Sequence, residues 1–258
     1  MTHVVAGYPT TSKCIELLLA MQDAGVAAIE VQVPFSDPSA DGSAIMYAND
    51  VALSNGITTR QTFAMLKKAR EAGLKTPVYI MSYANKLLSF GIAKFCEEAA
   101  KCSVQGFIIP DLPYDTPEFS KLKTLSENNT IEIVPVISPG VSLERLKAYR
   151  VEKKQLVYVT SSKGITGRNL NISSKLKTVI EQIRTLSSCK IALGFGVRTP
   201  SNVLQALELA DYAVVGSAVI EEIKSETLEH AAELINQLVH AQPGVNNQDM
   251  QYNGEQYD

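Results

Sequence analysis

Eight short apolar runs alternate with longer amphipathic stretches along the chain, and this alternation constrains the fold more than any other feature. The runs are His3–Ala6, Ala27–Val31, Pro77–Met81, Gly106–Pro110, Ile131–Val136, Gln155–Val159, Lys190–Gly194 and Tyr212–Gly216. Most are rich in Val and Ile and nearly free of polar alternation, the pattern of parallel strands covered on both faces. Helical periodicity fills the gaps: Ser12–Ala24, Thr59–Ala72, Ile92–Lys101, Glu118–Glu127, Leu143–Tyr149, Ser174–Thr185, Ser201–Leu209 and Glu226–His240. Gly25 and Gly73 follow the first two as C-terminal stops. Eight such units in 258 residues is the count of a closed (β/α)8 TIM barrel, an α/β fold in a single domain. An open doubly wound sheet would need a glycine-rich first turn, and Ala6-Gly7-Tyr8-Pro9 carries no GxGxxG. The barrel is assigned to residues 1–241, and the polar stretch 242–258 reads as a flexible tail. Strand one begins almost at Met1, so a segment closing the barrel floor before it is expected to be missing.

Charge and cysteine content narrow the function class. With 24 basic against 27 acidic residues the net charge is -3, without the basic excess of a nucleic-acid binder. No apolar run reaches the roughly 18 residues of a membrane span, and no signal peptide opens the chain. The four cysteines form no CxxC pair and the three histidines lie far from them in sequence. Reduced, buried thiols in a cytoplasmic protein are expected, with no metal site.

In a barrel, chemistry sits at the carboxyl ends of strands and in the loops that follow. Strand two carries Glu30 within an apolar run, followed by Pro34-Phe35-Ser36-Asp37-Pro38-Ser39-Ala40-Asp41-Gly42. Pointing inward, Glu30 suits general acid–base work; pointing outward, it would pair with a helix lysine. Asp37 and Asp41 read either as turn residues or as a loop carrying a second carboxylate over the barrel mouth. Glycines cluster after the last three strands: Gly164 and Gly167, Gly194 and Gly196, then Gly216-Ser217. Bare backbone there suits close approach to a phosphate, and Ser217 could open a helix facing it. No strand-end lysine is placed for a Schiff base, Lys163 excepted, and His230 and His240 fall on the last helix.

The run Gly25-Val26-Ala27-Ala28-Ile29-Glu30-Val31-Gln32-Val33-Pro34-Phe35-Ser36-Asp37-Pro38-Ser39-Ala40-Asp41-Gly42 closely resembles the signature of the tryptophan synthase alpha subunit family. The likeness continues through Ala6–Pro9, Ser82-Tyr83-Ala84-Asn85, Ile109–Pro113, Lys163–Gly167, Gly194–Val197 and Val215–Ser217, in the family's order. The resemblance implies a barrel that cleaves indole-3-glycerol phosphate to indole and glyceraldehyde 3-phosphate. It also implies a pyridoxal-phosphate-dependent beta subunit as partner in an alpha2-beta2 complex, and no cofactor in this chain. Carried over, Glu30 and Asp41 are the catalytic pair, and Tyr83, Tyr158, Thr166 and Phe195 border the indole. Gly167, Gly196, Gly216 and Ser217 cradle the phosphate. The chain departs from the family's usual residues at His3, Gln32, Ser43, Met46 and Ser162. A stand-alone indole-releasing lyase, a catalytically weak protein that binds and activates a beta chain, and another phosphate-binding barrel are the rival readings.

Overall fold

A computed structural model describes residues 1–161, 170, 172–194, 196–225 and 227–242. Its strands are β1 (Thr2–Val5), β2 (Ile29–Gln32), β3 (Val78–Met81), β4 (Val104–Ile108), β5 (Glu132–Val134), β6 (Val136–Ile137), β7 (Leu156–Thr160), β8 (Lys190–Gly194) and β9 (Tyr212–Ala213). All pair in parallel with their neighbours in sequence, as β1–β5 and as β6–β9, with no reversal of strand order of the doubly wound kind.

Two joins turn these sheets into one barrel. β5 and β6 are a single passage of chain interrupted at Pro135, which has no N–H for a ladder; its carbonyl still accepts from Tyr158 N–H at 3.0 Å. At the other join, Thr2 bridges Val215 in parallel, and the His3 N–H donates to the Val215 carbonyl at 2.8 Å. Eight strand passages therefore make the circuit expected from the sequence.

Eleven α-helices are described: α1 (Thr11–Asp23), α2 (Ser43–Ser54), α3 (Thr59–Glu71), α4 (Ala84–Phe90), α5 (Ile92–Lys101), α6 (Pro117–Asn128), α7 (Leu143–Ala148), α8 (Ser174–Leu186), α9 (Pro200–Leu207), α10 (Ser217–Ser225) and α11 (Leu228–Val239). Ser or Thr caps many of them: Thr10, Thr58, Thr116, Ser142, Ser173, Thr199 and Thr227 each accept a hydrogen bond from a first-turn N–H. Gly25 and Gly73, at φ of 81° and 105°, turn the chain out of α1 and α3 as the sequence indicated. Three helices lie outside the periodic stretches: α2, α4 and α10, of which only α10 had its start, Ser217, marked in the sequence. α2 is apolar around much of its circumference and lies in a stretch given no element from the sequence, and α4 is only two turns long. No helix among the described residues is long and apolar enough to cross a membrane. The four cysteines are free and buried.

The side chains divide into two cores. The larger fills the space between strands and helices. The smaller lies inside the barrel and includes Met81, Ile108, Val134, Leu156, Tyr158, Ala192 and Val214. Strand alternation sends every second residue inward, so Glu30 and Gln32 share a face, and register places His3 opposite Glu30. A polar sector from β1 and β2 therefore interrupts an otherwise apolar interior.

Asp211, just before β9, ties the opposite end of the barrel. It accepts from the Ile191 N–H at 2.9 Å, Arg184 at 2.7 Å and Lys190 at 3.2 Å. Partial burial opposes its ionisation, but these donors outweigh burial and hold the carboxyl below the ordinary aspartate range. A depressed carboxyl stabilises the fold above its unfolded pKa, and that contribution is lost as pH falls through the folded pKa. Asp211→Asn is expected to cost about 1–3 kcal/mol at pH 7. Denaturant titrations of both proteins should show this gap shrinking once the pH drops below the ordinary aspartate range; a gap that stays constant with pH would refute the assignment.

Candidate active site

Glu30, Asp41 and His3 come together at one cavity, each about 95% buried. The cavity has about 660 Å³ of empty space, counted out to its open mouth. Its wall is apolar on the β3, β4 and β6 side, from Met81, Ile108, Pro110 and Val136, with Tyr158 and Thr160 from β7. At the other end lie Gly196, Val197, Arg198, Gly216 and Ser217.

Glu30 faces inward because its strand alternates and its neighbours Ile29 and Val31 pack into the outer core. One carboxyl oxygen, Oε1, lies 3.3 Å from His3 Nδ1. The other, Oε2, is buried without a hydrogen-bond partner among the described residues. A buried carboxyl oxygen left open costs free energy, and a ligand that fills the cavity can satisfy it.

Asp41 arrives from the loop after β2. Gly42 caps α2, and the Asp41 N–H donates to the Pro38 carbonyl at 2.9 Å, closing the turn. Gln32 Nε2 donates to Asp41 Oδ2 at 2.7 Å and lies 3.3 Å from Asn49 Oδ1. Asn49 in turn accepts from the Phe35 N–H at 2.9 Å and donates to the Ile45 carbonyl at 2.8 Å, fastening the loop to α2. Burial pushes the Asp41 carboxyl above the ordinary aspartate value, opposed by His3 and by hydrogen bonds from Gln32 and Tyr83.

The sequence-derived residues fall into three groups. Glu30, Asp41, Tyr158, Gly196, Gly216 and Ser217 all line the cavity, and Ser217 opens α10. Tyr83, assigned to the indole wall by the resemblance, belongs to the same inner core as Met81 and Tyr158. Its hydroxyl accepts from the Ala40 N–H at 3.0 Å, and its ring lies 5.2 Å from that of Phe35. Thr166, Gly167 and Phe195 lie outside the described residues, as do Ser162 and Lys163. Asp37 is exposed on the outer turn of the loop.

Sequence reasoning missed the partners of the carboxylates. It marked His3 and Gln32 only as departures from the family, although Gln32 stands two residues after Glu30 and so had to share its face. Arg198 was also missed. It follows Gly196 by two residues, lines the cavity and pairs through both guanidinium nitrogens with Glu221 of α10.

Two buried carboxylates at the carboxyl ends of parallel strands set this molecule among the (β/α)8-barrel enzymes, where such pairs divide acid and base work. The family model described as tryptophan synthase alpha chain matches residues 1–249. The tryptophan synthase alpha chain of Chloroflexus aggregans is 32% identical over 93% of this chain and 91% of its own length. The tryptophan synthase of Saccharomyces cerevisiae is 37% identical over 85% of this chain, which spans only 31% of the yeast protein. A solved structure of Mycobacterium tuberculosis tryptophan synthase superposes with a TM-score of 0.82 at 29% identity, covering 92% of this chain and 90% of that one. The chain belongs to the tryptophan synthase alpha chain family.

Proposed function

We infer that the chain cleaves indole-3-glycerol phosphate to indole and glyceraldehyde 3-phosphate, as the alpha subunit of a tryptophan synthase. Family membership supports the reaction, and the open Oε2 of Glu30 inside the cavity is the observation that carries the mechanism. Glu30 delivers a proton to C3 of the indole ring, which turns the ring into an electron sink. The carboxylate left on Glu30 then takes the proton of the glycerol hydroxyl next to the ring, the carbon–carbon bond breaks, and its electron pair returns to the ring. Hydroxyl becomes aldehyde, and indole is released. Asp41 accepts the indole N–H and stabilises the positive charge that grows there in the transition state.

The apolar wall with Tyr158 suits the indole ring, while Gly196, Gly216 and the start of α10 suit the phosphate. Phe195, Thr166 and Gly167 are assigned beside these groups from the family motifs. The chain needs no cofactor of its own; pyridoxal phosphate belongs to the beta subunit, which takes up the indole. A cytoplasmic setting agrees with four unpaired thiols. The test is indole release from indole-3-glycerol phosphate, measured with and without a beta subunit. Release that rises with the partner supports the assignment, and a folded chain silent under both conditions would overturn it.

The Gln32–Asp41 bond gives a pH prediction. An amide that donates to the charged carboxylate favours it, so removing the donor raises the Asp41 pKa further. Gln32→Met is expected to move the acid limb of the kcat/KM profile to higher pH, with activity recovering at the alkaline side. A limb that stays in place would mean that ionised Asp41 is not required.

A further inference from the structure

The barrel interior is apolar apart from one sector, and that sector places one polar side chain against each of the two carboxylates. His3 stands opposite Glu30 in the β1–β2 register, with Nδ1 3.3 Å from Oε1. Its ring lies close beside the bare backbone of Gly216, where an added Cβ would come within 3.1 Å of His3 Cβ and 3.3 Å of Cδ2. Its backbone is fixed from both sides, since the His3 N–H donates to Val215 and β1 pairs with β2. A buried histidine with this many restraints has little rotamer freedom left.

We propose that His3 is a positioning residue for the cleavage reaction, its Nδ1–H holding Glu30 Oε1 so that Oε2 alone faces the substrate. The proposal rests on the lyase reading of the site. A carboxyl group that can rotate presents either oxygen and spends part of its time turned away from the reacting carbon. One whose first oxygen is held by a fixed ring presents the second in one direction, which is the preorganisation that proton transfer to carbon needs. The observed asymmetry fits this role: Oε1 is engaged and Oε2 has no partner among the described residues. Gln32 treats Asp41 the same way through Oδ2, so Glu30 is held from the neighbouring strand and Asp41 from the strand that leads into its loop, nine residues back.

Burial disfavours the charged imidazole, but the charge and hydrogen bond of Glu30, followed by Asp41 and Gln32, raise its pKa above the ordinary histidine value. The other titratable groups around this part of the cavity are Tyr158, Arg198 and the Met1 amine. Glu30 Oε1, an acceptor 3.3 Å from Nδ1, selects the ring form that carries its proton on Nδ1.

Two substitutions separate this role from simple packing. His3→Phe keeps the ring and removes the donor, whereas His3→Asn places an amide N–H close to the position of Nδ1. The expected result for His3→Phe is a kcat lower by about tenfold to a hundredfold with KM changed less than about threefold. His3→Asn should recover kcat to within about threefold of the parent. Independently of activity, the His3 ring followed by NMR should titrate above ordinary histidine in the parent and fall in Glu30→Gln. A His3→Phe protein that cleaves within about twofold of the parent, an Asn variant no better than Phe, or a ring titration unmoved by Glu30→Gln each overturns the proposal. Those results leave the lyase reading standing, because the parent still cleaves. A parent chain that releases no indole in the presence of a beta subunit overturns both.

Discussion

Glu30→Gln is expected to reduce indole release by at least about a hundredfold, and up to about ten-thousandfold, the range set by removing a general acid–base group. The substitution changes little else. The amide oxygen can still accept from His3 Nδ1, and the amide nitrogen occupies the space of Oε2 inside a cavity that already tolerates an unpartnered atom there. A glutamine cannot exchange a proton with ring carbon at neutral pH, so the loss falls on kcat while the melting temperature stays near the parent value. Steady-state kinetics with a thermal melt of the same samples makes the check. A folded variant that keeps a tenth of the activity would remove Glu30 from the chemistry and leave Asp41 or a residue outside the described set to do the work.

Gly194→Ala should disable the site by a different route. Gly194 ends β8 directly against Tyr158: an added Cβ would sit 2.7 Å from Tyr158 Cε1 and closer still to Cζ and the hydroxyl oxygen. The conflict is with an aromatic ring that cannot flex out of the way without changing rotamer, and the two positions before Gly194, Ala192 and Leu193, are fully buried. Overpacking of this kind costs about 1–3 kcal/mol, and the displaced ring would narrow the cavity at the wall assigned to indole. Weaker unfolding resistance and a KM at least about tenfold higher are expected together. Pairing the change with Tyr158→Leu should recover stability, giving a coupling between the two positions in a double-mutant cycle. Strictly additive effects would show that the ring does not hold the position described.

How much of this site the sequence reveals depends on how local each interaction is. Glu30 stands out because a carboxylate within an apolar strand is conspicuous on its own. Its direction is not legible, since alternation fixes only which residues share a face and not which face is the barrel interior. Gln32 was legible to that extent and was passed over. The His3–Glu30 contact is not legible at all without the pairing register, which depends on residues 27 positions apart meeting across a ladder. α2 was hidden because its sequence, from Ser43 to Ser54, lacks a polar stripe: it packs against β1 and α10, and its exposed positions include the apolar Met46 and Tyr47. β4 begins two residues earlier than its apolar run suggests, because Val104 and Gln105 extend the ladder before Gly106.

The join between the first and last strands has a mechanical consequence. Elsewhere the circuit is a run of laddered pairs, but here it is fastened by one bridge and a few backbone bonds, and His3 takes part through its N–H. The same residue reaches Glu30 with its side chain. The hoop is thus clasped from inside the reaction chamber, so any strain that loosens the clasp also turns the acid away from its target, and any grip on the acid tightens the hoop.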